Sequence, residues 1–264
     1  MKFEKEIVLD AKLNPKRIYA YINSKTKIKE CIRALRESNE KITTDTTQIA
    51  NTLNNYFASV FCNEEIDDLP ICEESCDVKC VDPLFDKSII KLKLMQLNTN
   101  KAIGVDKIHP KVLKECSESL SKPLSIIFNS SYLTGSLPKH WLCANVTPLF
   151  KKGDKLNPSN YRPVSITSIV CKVMESIIRD TMMNHLLVNG IITSDQHGFV
   201  PKKSCCTNLL ETMDILTQAI EEGYSIDIIF LDFAKAFDTV AHTRLSLKLQ
   251  SYGFIDKLLK LLVD

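Results

Sequence analysis

The residues best placed to do chemistry lie in one short run near the C-terminal end of the chain, Phe230–His242, which reads FLDFAKAFDTVAH. Asp232 follows the apolar stretch 226–231, so it stands where a strand would leave a core. A carboxylate there can hold a divalent cation, because the strand fixes it and the metal compensates its charge. An isolated strand-end Asp more often merely caps a turn, so Asp232 needs other evidence. Asp238, six residues on, suits the simpler role of N-cap for a helix over 239–251. A second feature is charge. From Lys139 to Lys172 six basic residues (139, 151, 152, 155, 162, 172) face one acid, Asp154, an excess that suits a phosphate-facing surface. Other reactive types are scattered. His109, His140, His185, His197 and His242 form no His/Cys pair at metal spacing, and Cys72, Cys76 and Cys80 recur every four residues, unlike the Cys-x2-Cys of a zinc knuckle. Cys205-Cys206 has no neighbouring base and falls at a helix start, and Trp141 reads as a core anchor.

The elements that must position these residues are mostly helical. Ile49, Leu53, Tyr56, Phe57 and Val60 recur at helical spacing after Thr44 and Asp45, which serve as N-caps. Helices are also predicted over 86–97, 117–133, 169–188 and 205–221, the last stopped by Gly223. Strands are predicted over 144–150 and 161–166, flanking Lys151-Lys152-Gly153-Asp154 as a hairpin-like excursion, and over 226–231 as a short buried strand. The 264 residues are 44% hydrophobic and 25% charged, enough for a sizeable core. No apolar run approaches the roughly 20 residues of a membrane span, and the charged opening Met1–Glu6 is unlike a secretory signal. That leads us to expect an intracellular, cytoplasmic or nuclear setting in which the ten cysteines stay reduced.

Charge is unevenly spread. Residues 1–60 carry 11 basic and 7 acidic groups, 61–86 carry 1 and 9, and 87–264 carry 22 and 16. The acidic stretch is too charged and too short of apolar periodicity to fold by itself. We therefore expect a helical segment over 1–62, an acidic flexible linker over 63–85 and the main domain over 86–264.

FLDFAKAFDTVAH resembles the first catalytic motif of the reverse transcriptases of non-LTR retrotransposons, and three upstream blocks resemble the same family in the same order. Ala102–Lys114 (AIGVDKIHPKVLK) resembles the motif that precedes the fingers, Pro148–Thr167 (PLFKKGDKLNPSNYRPVSIT) the fingers hairpin, and Gln196–Leu210 (QHGFVPKKSCCTNLL) the following fingers motif. NPKRIYAYINS from Asn14 and LNNYFASVF from Leu53 resemble the segment linking endonuclease and polymerase in jockey-like and CR1-like elements. The resemblance implies an α+β fold: helix-rich right-hand polymerase fingers and a partial palm with a small antiparallel sheet. It implies an RNA-directed DNA polymerase that uses two Mg2+ ions, an RNA template, a DNA primer and deoxynucleoside triphosphates, with no membrane partner. Asp232 would be a catalytic metal ligand, helped by the backbone carbonyl of Phe233. Phe237 would be the aromatic that excludes a ribose 2′-hydroxyl. Lys151, Lys152 and Arg162 would bind the triphosphate, Arg gripping phosphate in a bidentate manner and Lys acting as a point charge. Lys202 and Lys203 would contact template; the family usually has Gly then Arg there, so charge is kept while turn freedom and bidentate geometry are lost.

The family's Tyr-x-Asp-Asp metal site does not occur in these residues. One carboxylate cannot hold two Mg2+ ions, so we expect this chain to be inactive by itself. The alternatives are a non-catalytic nucleic-acid-binding remnant, and a phosphatase of the Asp-x-Asp type, which Ala234 disfavours by occupying the second carboxylate's position.

Overall fold

A computed structural model describes residues 18, 21, 31–62 and 76–263. The chain divides into two compact units, one made of residues 1–56 and 150–162, the other of 57–149 and 163–264.

In the first unit, two-residue strands β1 (Leu35–Arg36) and β2 (Ile42–Thr43) pair antiparallel, with Leu35 opposite Thr43 and Arg36 opposite Ile42. Leu35 is wholly buried. The helix expected after Asp45 is α1 (Thr46–Ser59); the Asp45 carboxylate accepts the Gln48 N–H at 2.9 Å, and Ile49 and Leu53 point inward. Strands β3 (Asn145–Phe150) and β4 (Tyr161–Ile166) form a second two-stranded sheet. The tip of this hairpin, residues 150–162, belongs to the same unit. It is tied to β1 through the Arg36 N–H, which donates to the Leu156 carbonyl at 2.8 Å.

The second unit is built around α2 (Lys87–Met95), α3 (Pro110–Glu115), α4 (Ser117–Thr134) and α5 (Ile169–Val188). Asp86 caps α2, accepting the Ser88 N–H at 2.7 Å, and Ser168 caps α5. Phe85, Ile90, Leu94, Phe128 and Met174 are buried at its centre, joined by Phe254, in the connection between α7 (His242–Ser251) and α8 (Asp256–Val263), and by Leu258 and Leu261 of α8. Trp141 packs on this core edge-on to Phe128, ring centroids 5.7 Å apart, as its anchor role requires. The remaining helix, α6 (Cys205–Glu221), opens with a reciprocal capping box between Ser204 and Thr207. It buries none of its residues; Leu209, Leu210, Met213 and Ile220 are all exposed.

Three expectations need correction. The run 226–231 is not a buried strand: Ile229, Phe230 and Leu231 are 83%, 87% and 88% exposed. A strand exists only through its neighbours' backbone groups, and among the described residues the sheets are two hairpins that do not include it. Asp238 does not cap a helix, because α7 begins at His242 behind Ala241, which makes no side-chain cap bond. Finally, residues 76–85 of the acidic stretch are not a linker. Phe85 is core, the Cys80 N–H donates to the Gly253 carbonyl at 2.9 Å, and the Tyr132 hydroxyl donates to Asp82 at 2.5 Å. The remainder of that stretch, 63–75, lies outside the described residues, as does most of the N-terminal segment that carries NPKRIYAYINS. No described helix is long and apolar enough to cross a membrane.

Candidate functional site

The basic hairpin tip owes its shape to its uncharged and acidic residues. Gly153 turns the chain at φ +90°, and a Cβ there would lie 2.8 Å from the Asn160 amide nitrogen. Asn160 donates to the Asp154 carbonyl, the Asp154 carboxylate accepts the Leu156 N–H, and the Tyr161 hydroxyl donates to the Lys155 carbonyl at 2.7 Å. Arg36 reaches the same carboxylate at 3.5 Å. The one acid of the basic stretch is thereby engaged in holding the turn. The Phe150 and Tyr161 rings meet at a tilt of 60° with centroids 5.5 Å apart, so they share one face of the hairpin. Alternation along β4 then sends Arg162, next to Tyr161, to the opposite face, while Lys151 directly follows β3 and Lys152 lies at the turn. All three are exposed, and none makes an ion pair among the described residues.

The run 196–203 is held differently. His197 is buried to 9% exposure, with Nε2 2.5 Å from Glu211 Oε2 and Nδ1 2.9 Å from the Thr207 hydroxyl, both partners on α6. Gln196 donates to the Gly198 carbonyl, and the Lys203 ammonium donates to the Ser194 carbonyl. Lys202 takes φ +64° and Phe199 φ +62°, the left-handed region that side chains bearing a Cβ rarely enter. The first of these is informative. At the position where the resemblance leads one to expect Gly, the chain takes a glycine-like conformation with a lysine in place.

Asp232 is exposed, as are Phe233 (84%) and Phe237 (79%). The residues after it form turns in which the Asp238 and Thr239 N–H groups donate to the Lys235 carbonyl. Phe237 meets the ring of Phe199 edge-on, centroids 5.9 Å apart and planes at 90°. The structure thus brings the 196–203 run to Phe237, and it gathers Lys151, Lys152 and Arg162 on the hairpin tip. Among the described residues, Asp232 has no comparable company. No group of three or more His, Cys, Asp or Glu that could hold a metal occurs among the described residues, so those residues do not make up a two-metal site. A cleft of about 670 Å3 lined by Phe61, Cys62 and residues 240–243 contains none of the candidate side chains.

The motif 102–114 also has a defined place. Gly104 lies so close to the start of α5 that a Cβ would be 2.6 Å from the Thr167 carbonyl oxygen and 2.8 Å from Ser168 Cα. Beside it the wholly buried Ser168 hydroxyl donates to Asp106 at 2.5 Å. His109 caps α3 through its ring nitrogen. Sequence reasoning missed the roles of His197 and of the Asp106–Ser168 pair. The signals available were a histidine before Gly198-Phe199 and a serine at a helix N-cap.

Residues 150–263 match the family model described as reverse transcriptase (RNA-dependent DNA polymerase). Residues 150–263 belong to the reverse transcriptase family. The chain is similar to an uncharacterized 149 kDa protein of transposon TX1 from Xenopus laevis, 30% identical over 194 residues that make up 73% of this chain and 14% of that protein. It is similar to a probable RNA-directed DNA polymerase from transposon X-element of Drosophila melanogaster, 26% identical over 63% of this chain and 18% of the relative. The RNA-directed DNA polymerase from mobile element jockey of the same organism is 28% identical over 60% of this chain and 18% of the relative. The chain therefore spans less than a fifth of each of these curated relatives. The reverse transcriptase match is of the non-LTR retrotransposon kind that the sequence motifs indicate, and it includes every candidate residue from Lys151 to Phe237.

Proposed function

We propose that this chain supplies the fingers and part of the palm of a non-LTR retrotransposon RNA-directed DNA polymerase. The observation that carries the reading is the unbroken family match over 150–263, which contains the hairpin cations, the 196–203 run and Asp232 together. In this reading Lys151, Lys152 and Arg162 hold the triphosphate, Lys202 and Lys203 follow the template backbone, and Phe237 stands where a ribose 2′-hydroxyl would go. Asp232 contributes one carboxylate to a site whose divalent metal the family uses. The Tyr-x-Asp-Asp motif does not occur in these residues, and in this reading the chain taken by itself binds nucleic acid and triphosphate without polymerising.

The hairpin geometry supports the binding half of the proposal. Exposed cations at the hairpin tip that make no ion pair among the described residues are available to phosphate, and each phosphate neutralised releases counterions. Binding of a single-stranded RNA should therefore weaken as salt rises. Replacing Lys151, Lys152 and Arg162 together by Ala should flatten the slope of log K against log salt by about 2, at roughly 0.7 per contact. An unchanged slope would remove the hairpin from the interface. Salt-sensitive RNA binding that requires the hairpin but is indifferent to nucleotide would favour the remnant reading instead.

A further inference from the structure

Phe199 is an unusual residue on two independent counts. Its backbone sits at φ +62°, a conformation that a bulky side chain enters at a cost, and its ring is 85% exposed, so core packing does not repay that cost. Strain of this kind persists where surrounding bonds over-determine the chain. Here the bonds are those of His197, two residues earlier, whose buried ring is fixed between Glu211 and Thr207 of α6. Among the described residues, the ring contact that this backbone sets up is with Phe237: the Phe199 ring stands perpendicular to it at 5.9 Å, edge against face. Phe237 is itself 79% exposed. The two rings brace each other in an otherwise open setting.

We propose that Phe199 is a specificity-determining residue that braces Phe237 from the side, fixing the position of the ring that discriminates deoxyribose from ribose. This rests on the reading of Phe237 as the sugar-excluding aromatic. A ring excludes a hydroxyl only if it cannot swing away. Phe237 lies in a run of turns with no core contact, so its orientation depends on what touches it. Phe199 supplies that contact from a segment pinned to a different element, and His197 is the positioning residue behind it.

The test compares binding of dATP and ATP to the full 264-residue chain, by equilibrium dialysis, for the wild type, Phe199→Ala, Phe237→Ala and the double variant. Phe237→Ala should erode the preference for dATP. Phe199→Ala should erode it in the same direction by about 2- to 10-fold, the range an edge-to-face pair supplies, while leaving total triphosphate affinity nearly unchanged. The double variant should be no worse than Phe237→Ala alone, since Phe199 acts only through that ring. Phe199→Leu, which keeps apolar bulk, separates loss of the brace from misfolding and should show an intermediate preference. If Phe237→Ala shifts the preference and both Phe199 variants do not, the proposal is overturned while the Phe237 reading stands. If the wild type shows no preference, or Phe237→Ala does not alter it, both fall.

Discussion

A methyl group added at Gly104 tests how the 102–114 motif is seated. Its Cβ would meet the Thr167 carbonyl oxygen at 2.6 Å and Ser168 Cα at 2.8 Å, both backbone atoms that no rotamer change can move aside. The Gly104→Ala chain must therefore lift the loop or displace the start of α5. Overpacking of this kind costs about 1–3 kcal/mol. Lifting the loop also stretches the bond from Ser168 to the Asp106 carboxylate, and hydrogen bonds to charged groups contribute about 1.5–3 kcal/mol. Because the bond is stretched and not removed, only part of its contribution is lost, and we expect a total of about 2–4 kcal/mol, a large share of the 5–15 kcal/mol typical of a folded domain. Trp141 is the chain's single tryptophan and packs on the core that includes α5, so its fluorescence reports the unfolding of this unit in urea. With a slope of ~2 kcal/mol per molar, the midpoint should fall by about 1–2 M. Gly198→Ala is the control, because nothing lies within 4 Å of a Cβ there; its midpoint should stay within the ~0.5 kcal/mol of an ordinary surface change. Combining Gly104→Ala with Asp106→Ala should cost less than the two changes added separately, since both break one contact. A Gly104→Ala midpoint equal to wild type would refute the account of this loop.

Three further outcomes follow from the described contacts. At position 202, where φ is +64°, Gly should be more stable than Ala by about 1 kcal/mol, the left-handed penalty of roughly 1–2 kcal/mol being partly offset by glycine's greater unfolded-state freedom; urea titration of Lys202→Gly against Lys202→Ala reads this, and a more stable Ala variant would contradict the backbone assignment. Bonds from Lys91, then Lys87, hold the Glu118 carboxyl down at about 2, so its contribution to stability is complete above its ordinary value near 4.5 and is lost as pH falls through the folded value. For Asp180, burial pushes the carboxyl up, but Lys93 and Arg179 outweigh it and the net shift is downward, adding in the same direction. Urea midpoints measured between pH 5 and pH 2.5 should thus fall less steeply for Glu118→Gln than for wild type, and identical slopes would exclude the ion-pair cluster. Burial, reinforced by Glu175, pushes the Cys171 thiol up to about 12; maleimide at pH 8 should modify the exposed Cys205 and Cys206 and spare Cys171 until the chain is unfolded, as mass spectrometry of the labelled peptides would show.

Much of the positioning framework was legible because its signals are local. Helices α5 and α6 run over the expected residues, each with a serine N-cap directly before the first apolar repeat, Ser168 and Ser204. The β3–β4 hairpin was legible from two strand-like runs around Lys-Lys-Gly-Asp. What was not legible depends on distant partners. The apolar run 226–231 announces a wish for burial but cannot announce whether flanking strands are present, and here it is exposed. In 76–85 the sequence reads as charge, yet Phe85 is buried and Asp82 is bonded by Tyr132, 50 residues further along the chain. Strands β1 and β2 are two residues each and carry no period to read. At the candidate site, the residue types pointed to Asp232, Phe237 and the cations, whereas the contact between Phe199 and Phe237 and the anchoring of His197 are products of tertiary geometry.

The most direct measurement of the central claim is nucleotide incorporation on a primed RNA template by this chain joined to the remaining polymerase segment of the jockey relative. The account predicts deoxynucleotide incorporation by that fusion, with Asp232→Asn abolishing it while RNA affinity stays nearly unchanged, because one carboxylate of the reacting site is lost and no backbone-binding cation is touched. Equal incorporation with Asn at position 232 would contradict it.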